Sequence, residues 1–284
     1  MVRPPAARVV LPVRPAFSYF FPVGTTARPS ARPPGARIFG AEGRLAVFPN
    51  TRQSKVPRQG EIEYLKSIGP DRARHALGKP FSDAACGAYL TEVGAFISLL
   101  PPPPRRLLDL GCGTGWTSVF FAKMGYDVTG IDLAPDMIAA AEVNKRQYEL
   151  GNLSFFVGDF EDLNYENEFD CVTIYDALHH SENELSVLQG AYRALKSGGC
   201  CVTSEPGRGH VKNPLTKNAV AEHNVTERDM PPATIVAAGR AAGFASFKVY
   251  PRPADIRRDR LRLLKWLIES IVAPNRNGYV VLTK

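Results

Sequence analysis

The 284-residue chain is 44% hydrophobic and 22% charged, the balance of a globular protein long enough to bury a sizeable core. It contains no run of 18 apolar residues, so no membrane-spanning segment is expected. The formal net charge of +7 is unevenly placed: residues 1–58 hold nine Arg and one Lys against the single acid Glu42, whereas 59–284 hold 25 basic and 27 acidic residues. A basic tail, rather than a basic domain, produces the high pI, and nucleic acid is not expected as a partner.

The five cysteines, Cys86, Cys112, Cys171, Cys200 and Cys201, are odd in number and have no C-x-x-C spacing. That pattern argues against a disulfide framework or a zinc site, so no metal is expected, and it suits a reducing, cytoplasmic setting.

Residues 1–58 contain ten of the 24 prolines and show neither helical nor strand period. Such a segment buries too little apolar surface to offset its ordering entropy and reads as a disordered extension. Its Arg-rich, acid-poor composition is also that of a transit peptide, but the prolines spoil the amphipathic helix such a peptide needs. A helical cap is expected over 59–104. It comprises a short helix opening at Glu61 and a longer one capped by Ser82 or Asp83 and running to Leu100, before Pro101–Pro104 stops it.

Strand and helix patterns then alternate. Strands are predicted at Arg106–Leu110, Asp127–Ile131, Leu153–Val157, Cys171–Tyr175, Gly199–Ser204, Ser246–Tyr250 and Gly278–Thr283. Helices are predicted at Gly115–Met124, Pro135–Glu149, Asn183–Leu195 and Pro232–Ala242, with an additional amphipathic helix over Asp255–Ile271. The alternation defines an α/β fold with a doubly wound, Rossmann-like sheet filling 105–284. The additional helix should lay an apolar face on the body and expose its basic residues.

The first predicted strand ends in Asp109-Leu110-Gly111-Cys112-Gly113-Thr114-Gly115 and feeds a helix. Glycines at such a turn accept positive φ and let a ligand approach without a Cβ in the way. A dinucleotide turn would place a third glycine where this chain has Trp116. The second strand delivers Asp132, an acid placed to accept two ribose hydroxyls. The third delivers Asp159 and Phe160, an acceptor for an adenine amino group beside an apolar wall for the ring. The fourth ends in Tyr175-Asp176-Ala177-Leu178-His179-His180 at the mouth of the sheet.

As a set, LLDLGCGTGW, VTGIDLAPDM, VGDFEDL, FDCVTIYDALHH and LKSGGCCVTSEP resemble the successive motifs of class I S-adenosylmethionine (SAM)-dependent methyltransferases. They are most similar to the group that includes ubiquinone- and menaquinone-biosynthesis enzymes. The resemblance spans roughly 105–206 and implies a seven-stranded sheet whose last strand is reversed. It also implies SAM as cofactor, with Asp109, Gly111, Cys112, Gly113, Gly115, Asp132, Leu133, Asp159, Phe160 and Tyr175 around it. Within that set Gly111 and Gly113 approach the methionine part, Tyr175 lies near the sulfonium, and Asp109 orients the loop through backbone contacts.

The candidate catalytic residues are His180, Glu205 and His210. His180, with His179, follows the fourth strand and offers either a general base or a packing and capping group near the pocket. Glu205 closes the fifth strand and should point toward substrate. Tyr64, His75, Lys79 and Phe81 in the cap are further candidates for the acceptor side. Methyl transfer from a sulfonium chiefly needs alignment and exclusion of water, so no fixed catalytic triad is required. The reading is transfer of a methyl group to a small-molecule acceptor, at a hydroxyl oxygen. Carbon or nitrogen methylation and a non-catalytic SAM-binding role are the alternatives. The fourth strand also lacks the N/D-P-P-aromatic set of enzymes that methylate a flipped base.

Overall fold

A computed structural model describes residues 59–253, 260–272 and 278–284. The predicted disordered extension and residues 255–259 of the predicted additional helix lie outside the described residues. Three helices come first: α1 (Gln59–Ser67), α2 (Gly69–Leu77) and α3 (Cys86–Ile97). The sequence led to two helices here, and α2, a short and strongly polar helix that buries no residue, was missed. The longer helix starts at Cys86 rather than at Ser82. Asp83 instead uses its side chain to accept from the Ala85 N–H at 2.7 Å, forming a turn ahead of the helix.

The sheet is built from β1 (Arg106–Leu110), β2 (Asp127–Asp132), β3 (Leu153–Val157), β4 (Phe169–Tyr175), β5 (Leu195–Ser204), β6 (Ser246–Pro251) and β7 (Gly278–Thr283). Their order is β3-β2-β1-β4-β5-β7-β6, and β7 runs antiparallel to both β5 and β6. Between the strands stand α4 (Trp116–Lys123), α5 (Pro135–Gln147), α6 (Glu184–Ala194), α7 (Pro214–His223) and α8 (Pro232–Ala242). The α7 helix was missed although Asn213 caps it by accepting from the Leu215 N–H and Pro214 opens it. Its sequence is too polar to show a helical stripe.

Central parallel strands are covered on both faces and read as continuous apolar runs. On one face Phe96, Phe121, Ile138 and Phe155 join Leu107 and Val128 in a single cluster; on the other Leu178, Val187, Leu188 and Ile235 join Leu108 and Ile174. The last helix, α9 (Arg260–Val272), departs from expectation. Leu264, Leu267, Ile268, Ile271 and Val272 are exposed rather than packed on the body, and Trp266 Nε1 donates to the Arg252 carbonyl at 2.8 Å. No described helix is long and apolar enough to cross a membrane.

Asp109 is the one charged side chain in the middle of β1, and only 1% of it is exposed. Its carboxylate accepts from Thr173 on β4 at 2.8 Å and from Ser118 and Thr117 on α4, at 2.5 and 3.3 Å. It therefore ties the helix after the glycine turn to two strands through side-chain hydroxyls, not through the backbone contacts expected from the sequence. Burial pushes the carboxyl up to about 6, against the three hydroxyl bonds that lower it. The folded state thus holds a proton that the unfolded chain releases near pH 4, and stability falls as pH rises through that interval. Relative to Asp109→Asn, the parent chain should lose about 2–3 kcal/mol between pH 4 and pH 7. Denaturant unfolding of both proteins at the two pH values measures this, and parallel pH profiles would refute it.

Candidate active site

Where the strand order turns back on itself, between β1 and β4, the loops leave a crevice at the carboxyl ends of the strands. A cavity of about 420 Å³ occupies it. Gly111, Cys112, Gly113, Asp132, Leu133, Asp159, Phe160 and Tyr175 all line this cavity. Two members of the expected cofactor set do not. Asp109 is enclosed behind the turn, and a Cβ on Gly115 would stand 2.5 Å from the Phe155 ring, so that glycine serves packing.

The turn is shaped by β2. Asp132 accepts from the Gly113 N–H at 2.8 Å and from the Ala134 N–H at 3.0 Å, so one carboxylate fixes both loops. Gly113 has φ +52° and open space where a Cβ would point, as a cradle for a ligand requires. Gly111, at φ +69°, lies against Ala177, where a Cβ would come within 2.4 Å. Burial raises the Asp132 carboxyl despite those two N–H bonds, and hydroxyl donors entering the cavity would favour its charged form. The chemistry of this lining fits SAM: an open glycine turn beside two carboxylates, Asp132 and Asp159, able to accept from hydroxyl or amino groups, and the apolar Phe160 ring. Trp116 packs edge-on against Tyr175 and Tyr89, and all three rings line the cavity. The Tyr175 hydroxyl donates to Glu92 at 3.4 Å, and burial raises its pKa far above the ordinary phenol value.

The other end of the cavity is assembled from four distant segments. His179, His180, His210, Glu227, Glu61 and Tyr64 line it. Glu205 does not: its side chain is fully enclosed and accepts from the N–H groups of Ala177, Leu178 and His179 at 3.1, 2.9 and 3.2 Å. The same carboxylate meets His179 Nδ1 at 2.7 Å. The expectation that Glu205 points at substrate thus gives way to a different placement, behind the turn that follows β4, because those four donors surround it. His210 Nε2 lies 2.6 Å from Glu227 Oε2, and His180 Nδ1 lies 2.6 Å from the Thr226 carbonyl. Burial opposes a charge on His180, but Glu61, Glu227 and the Thr226 carbonyl outweigh it and raise the ring to about 9.

Of the cap candidates, Tyr64 and Lys79 reach the cavity. His75 instead pairs with Asp83 at 3.6 Å, and Phe81 is 67% exposed. Glu227, Glu61 and Tyr89 went unnoticed in the sequence. Glu227 follows α7 in a charged stretch without a motif, and nothing local marks it. Tyr89 could have been found as a large polar-tipped ring on the predicted cap helix.

A family model described as a methyltransferase domain matches residues 104–245. The chain belongs to this family, the class I SAM-dependent methyltransferases that its motifs resemble. Over 142 residues it is 32% identical to a ubiquinone biosynthesis O-methyltransferase of Xanthomonas campestris pv. campestris (strain B100), covering 49% of this chain and 54% of that protein. The chain spans about half the length of the curated relatives it matches. Among solved structures it is similar to an S-adenosylmethionine-dependent methyltransferase from Mesorhizobium loti, at TM-score 0.53 and 21% identity over 68% of this chain and 96% of that one. A TehB-like SAM-dependent methyltransferase from Corynebacterium glutamicum is similar at TM-score 0.53 and 20% identity, over 78% and 98%. At these identities the structures establish a common fold.

Asp132→Ala should weaken SAM binding by about 1.5–3 kcal/mol, the loss expected when a charged hydrogen-bond partner is removed. Calorimetric titration measures it, and an unchanged affinity would mean that the ribose is held elsewhere.

Proposed function

We propose that the chain transfers the methyl group of SAM to a hydroxyl oxygen of a small molecule. The observation that carries this reading is that one cavity joins the cofactor-type residues Gly113, Asp132 and Asp159 to the proton-accepting groups His210 and Glu227. Bound SAM supplies a methyl group on a positively charged sulfur, open to in-line displacement. An alcohol or phenol must also lose its proton, which gives a carboxylate-held imidazole a task at the acceptor end. In this reading Glu227 orients the His210 ring, and His210 accepts the proton. Glu205 is a positioning residue: it holds the turn carrying His179 and touches no substrate. The similarity to an O-methyltransferase supports oxygen over nitrogen or carbon. The nearly neutral composition of 59–284 suits a small acceptor rather than a nucleic acid.

The test is methyl transfer from isotopically labelled SAM to a panel of catechols, phenols and primary amines. Products methylated at oxygen are expected, and products methylated only at nitrogen or carbon would overturn the assignment. With an active acceptor, His210→Gln should lower kcat by about 10²–10⁴ and leave SAM affinity within about twofold. An undiminished kcat would remove His210 from the chemistry.

A further inference from the structure

Three side chains at the acceptor end are arranged as ligands as well as proton acceptors. One donor atom each from His179, His180 and Glu227 lies within 4.8 Å of the other two. A tetrahedral ion about 2.0–2.2 Å from each donor would set the donors roughly 3.4 Å apart, the separation that His179 Nε2 and Glu227 Oε2 already have. Two imidazoles and one carboxylate form the set that suits zinc or iron(II) with positions left open for a substrate.

Each member of the set is held from behind, as metal ligands characteristically are. His179 has its Nδ1 on the buried Glu205 carboxylate at 2.7 Å, and His180 has its Nδ1 on the Thr226 carbonyl at 2.6 Å. Glu227 is met by His210 Nε2 at 2.6 Å. His179 turns its other ring nitrogen, Nε2, toward Glu227 Oε2 at 3.4 Å, so two of the three donor atoms already lie side by side. The absence of paired cysteines led the sequence reading to expect no metal. The histidines here come from the turn after β4, and the carboxylate from 47 residues further along, a spacing no short motif records.

We propose that His179, His180 and Glu227 form a site for a divalent transition-metal ion, braced by Glu205, Thr226 and His210. All three ligands line the cavity, so the open coordination positions face the space assigned to the acceptor. Resting on the O-methylation reading, such an ion would take the acceptor's hydroxyl oxygen as a further ligand and so orient it.

The experiment uses the full chain, stripped of metal by a chelator and desalted. Zinc chloride is titrated by calorimetry and cobalt(II) by visible absorption, with SAM affinity measured in the same metal-free samples. One saturable site with cobalt(II) absorption in the visible is expected. Glu227→Gln and His180→Gln should each weaken metal binding at least about tenfold, and Glu205→Gln by about 10–100-fold. SAM affinity within about twofold of the parent chain certifies that a variant is folded. No saturable binding, or equal affinity in parent and Glu227→Gln, would overturn the proposal. Loss of SAM binding in the parent chain would instead defeat the cofactor assignment while leaving the metal result standing.

Discussion

The carboxylate of Glu205 is taken out of water at the end of β5 and meets three successive backbone N–H groups and an imidazole. An unpaired buried carboxylate would cost several kcal/mol, so the chain leaving β4 is constrained to supply those donors. That constraint bends Ala177–His179 into a tight turn over the strand end. The placement of His179 and His180 follows from it. The turn sets the His179 and His180 rings 4.0 Å apart, and it brings Ala177 against Gly111, where no side chain could stand.

Asp109 does the corresponding work on the cofactor side. Its hydroxyl partners come from β4 and α4, so the strand before the glycine turn and the helix after it are tied together beneath the turn. Asp132 completes the frame by accepting backbone N–H groups from the turn itself and from the start of α5. Three acids, on β1, at the end of β2 and just after β5, thus have three tasks: Asp109 ties strands to a helix, Glu205 holds a turn, and Asp132 both shapes the glycine turn and faces the cavity. Their environments, more than their residue type, separate them.

The helical cap closes the acceptor end by reaching far along the chain. Glu61 accepts from the Thr226 N–H at 2.7 Å, and Ser67 meets His223 at 2.8 Å, so α1 grips the segment that carries Glu227. The other end of the cap is tied to the cradle, where Thr114 donates to the Ala76 carbonyl at 3.0 Å. The cap therefore couples the cofactor turn to the acceptor groups. In the α9 helix Trp266 is tied to the Arg252 carbonyl, while Leu264, Leu267, Ile268, Ile271 and Val272 stay on the surface.

The alternating pattern of β1 to β5 and the residues Gly111, Gly113, Asp132 and Asp159 were legible in the amino-acid sequence. Strand period, positive-φ glycines and an acid at a strand end are local properties, and the doubly wound sheet brings strand ends to one edge by its topology alone. The polar helices α2 and α7 were not legible, because they are short and bury almost none of their residues, so no run of core positions marks them. Glu205 looked like a substrate contact in sequence, and only the packed turn reveals the N–H groups that enclose it. The partnership of His179, His180, His210 and Glu227 joins segments with no short-range spacing, so it exists only after the sheet has formed. Sequence determined the fold and the cofactor cradle, because both depend on local geometry repeated strand by strand. Tertiary structure decided the acceptor end, because its groups meet through long loops whose closure the pattern of residues does not encode.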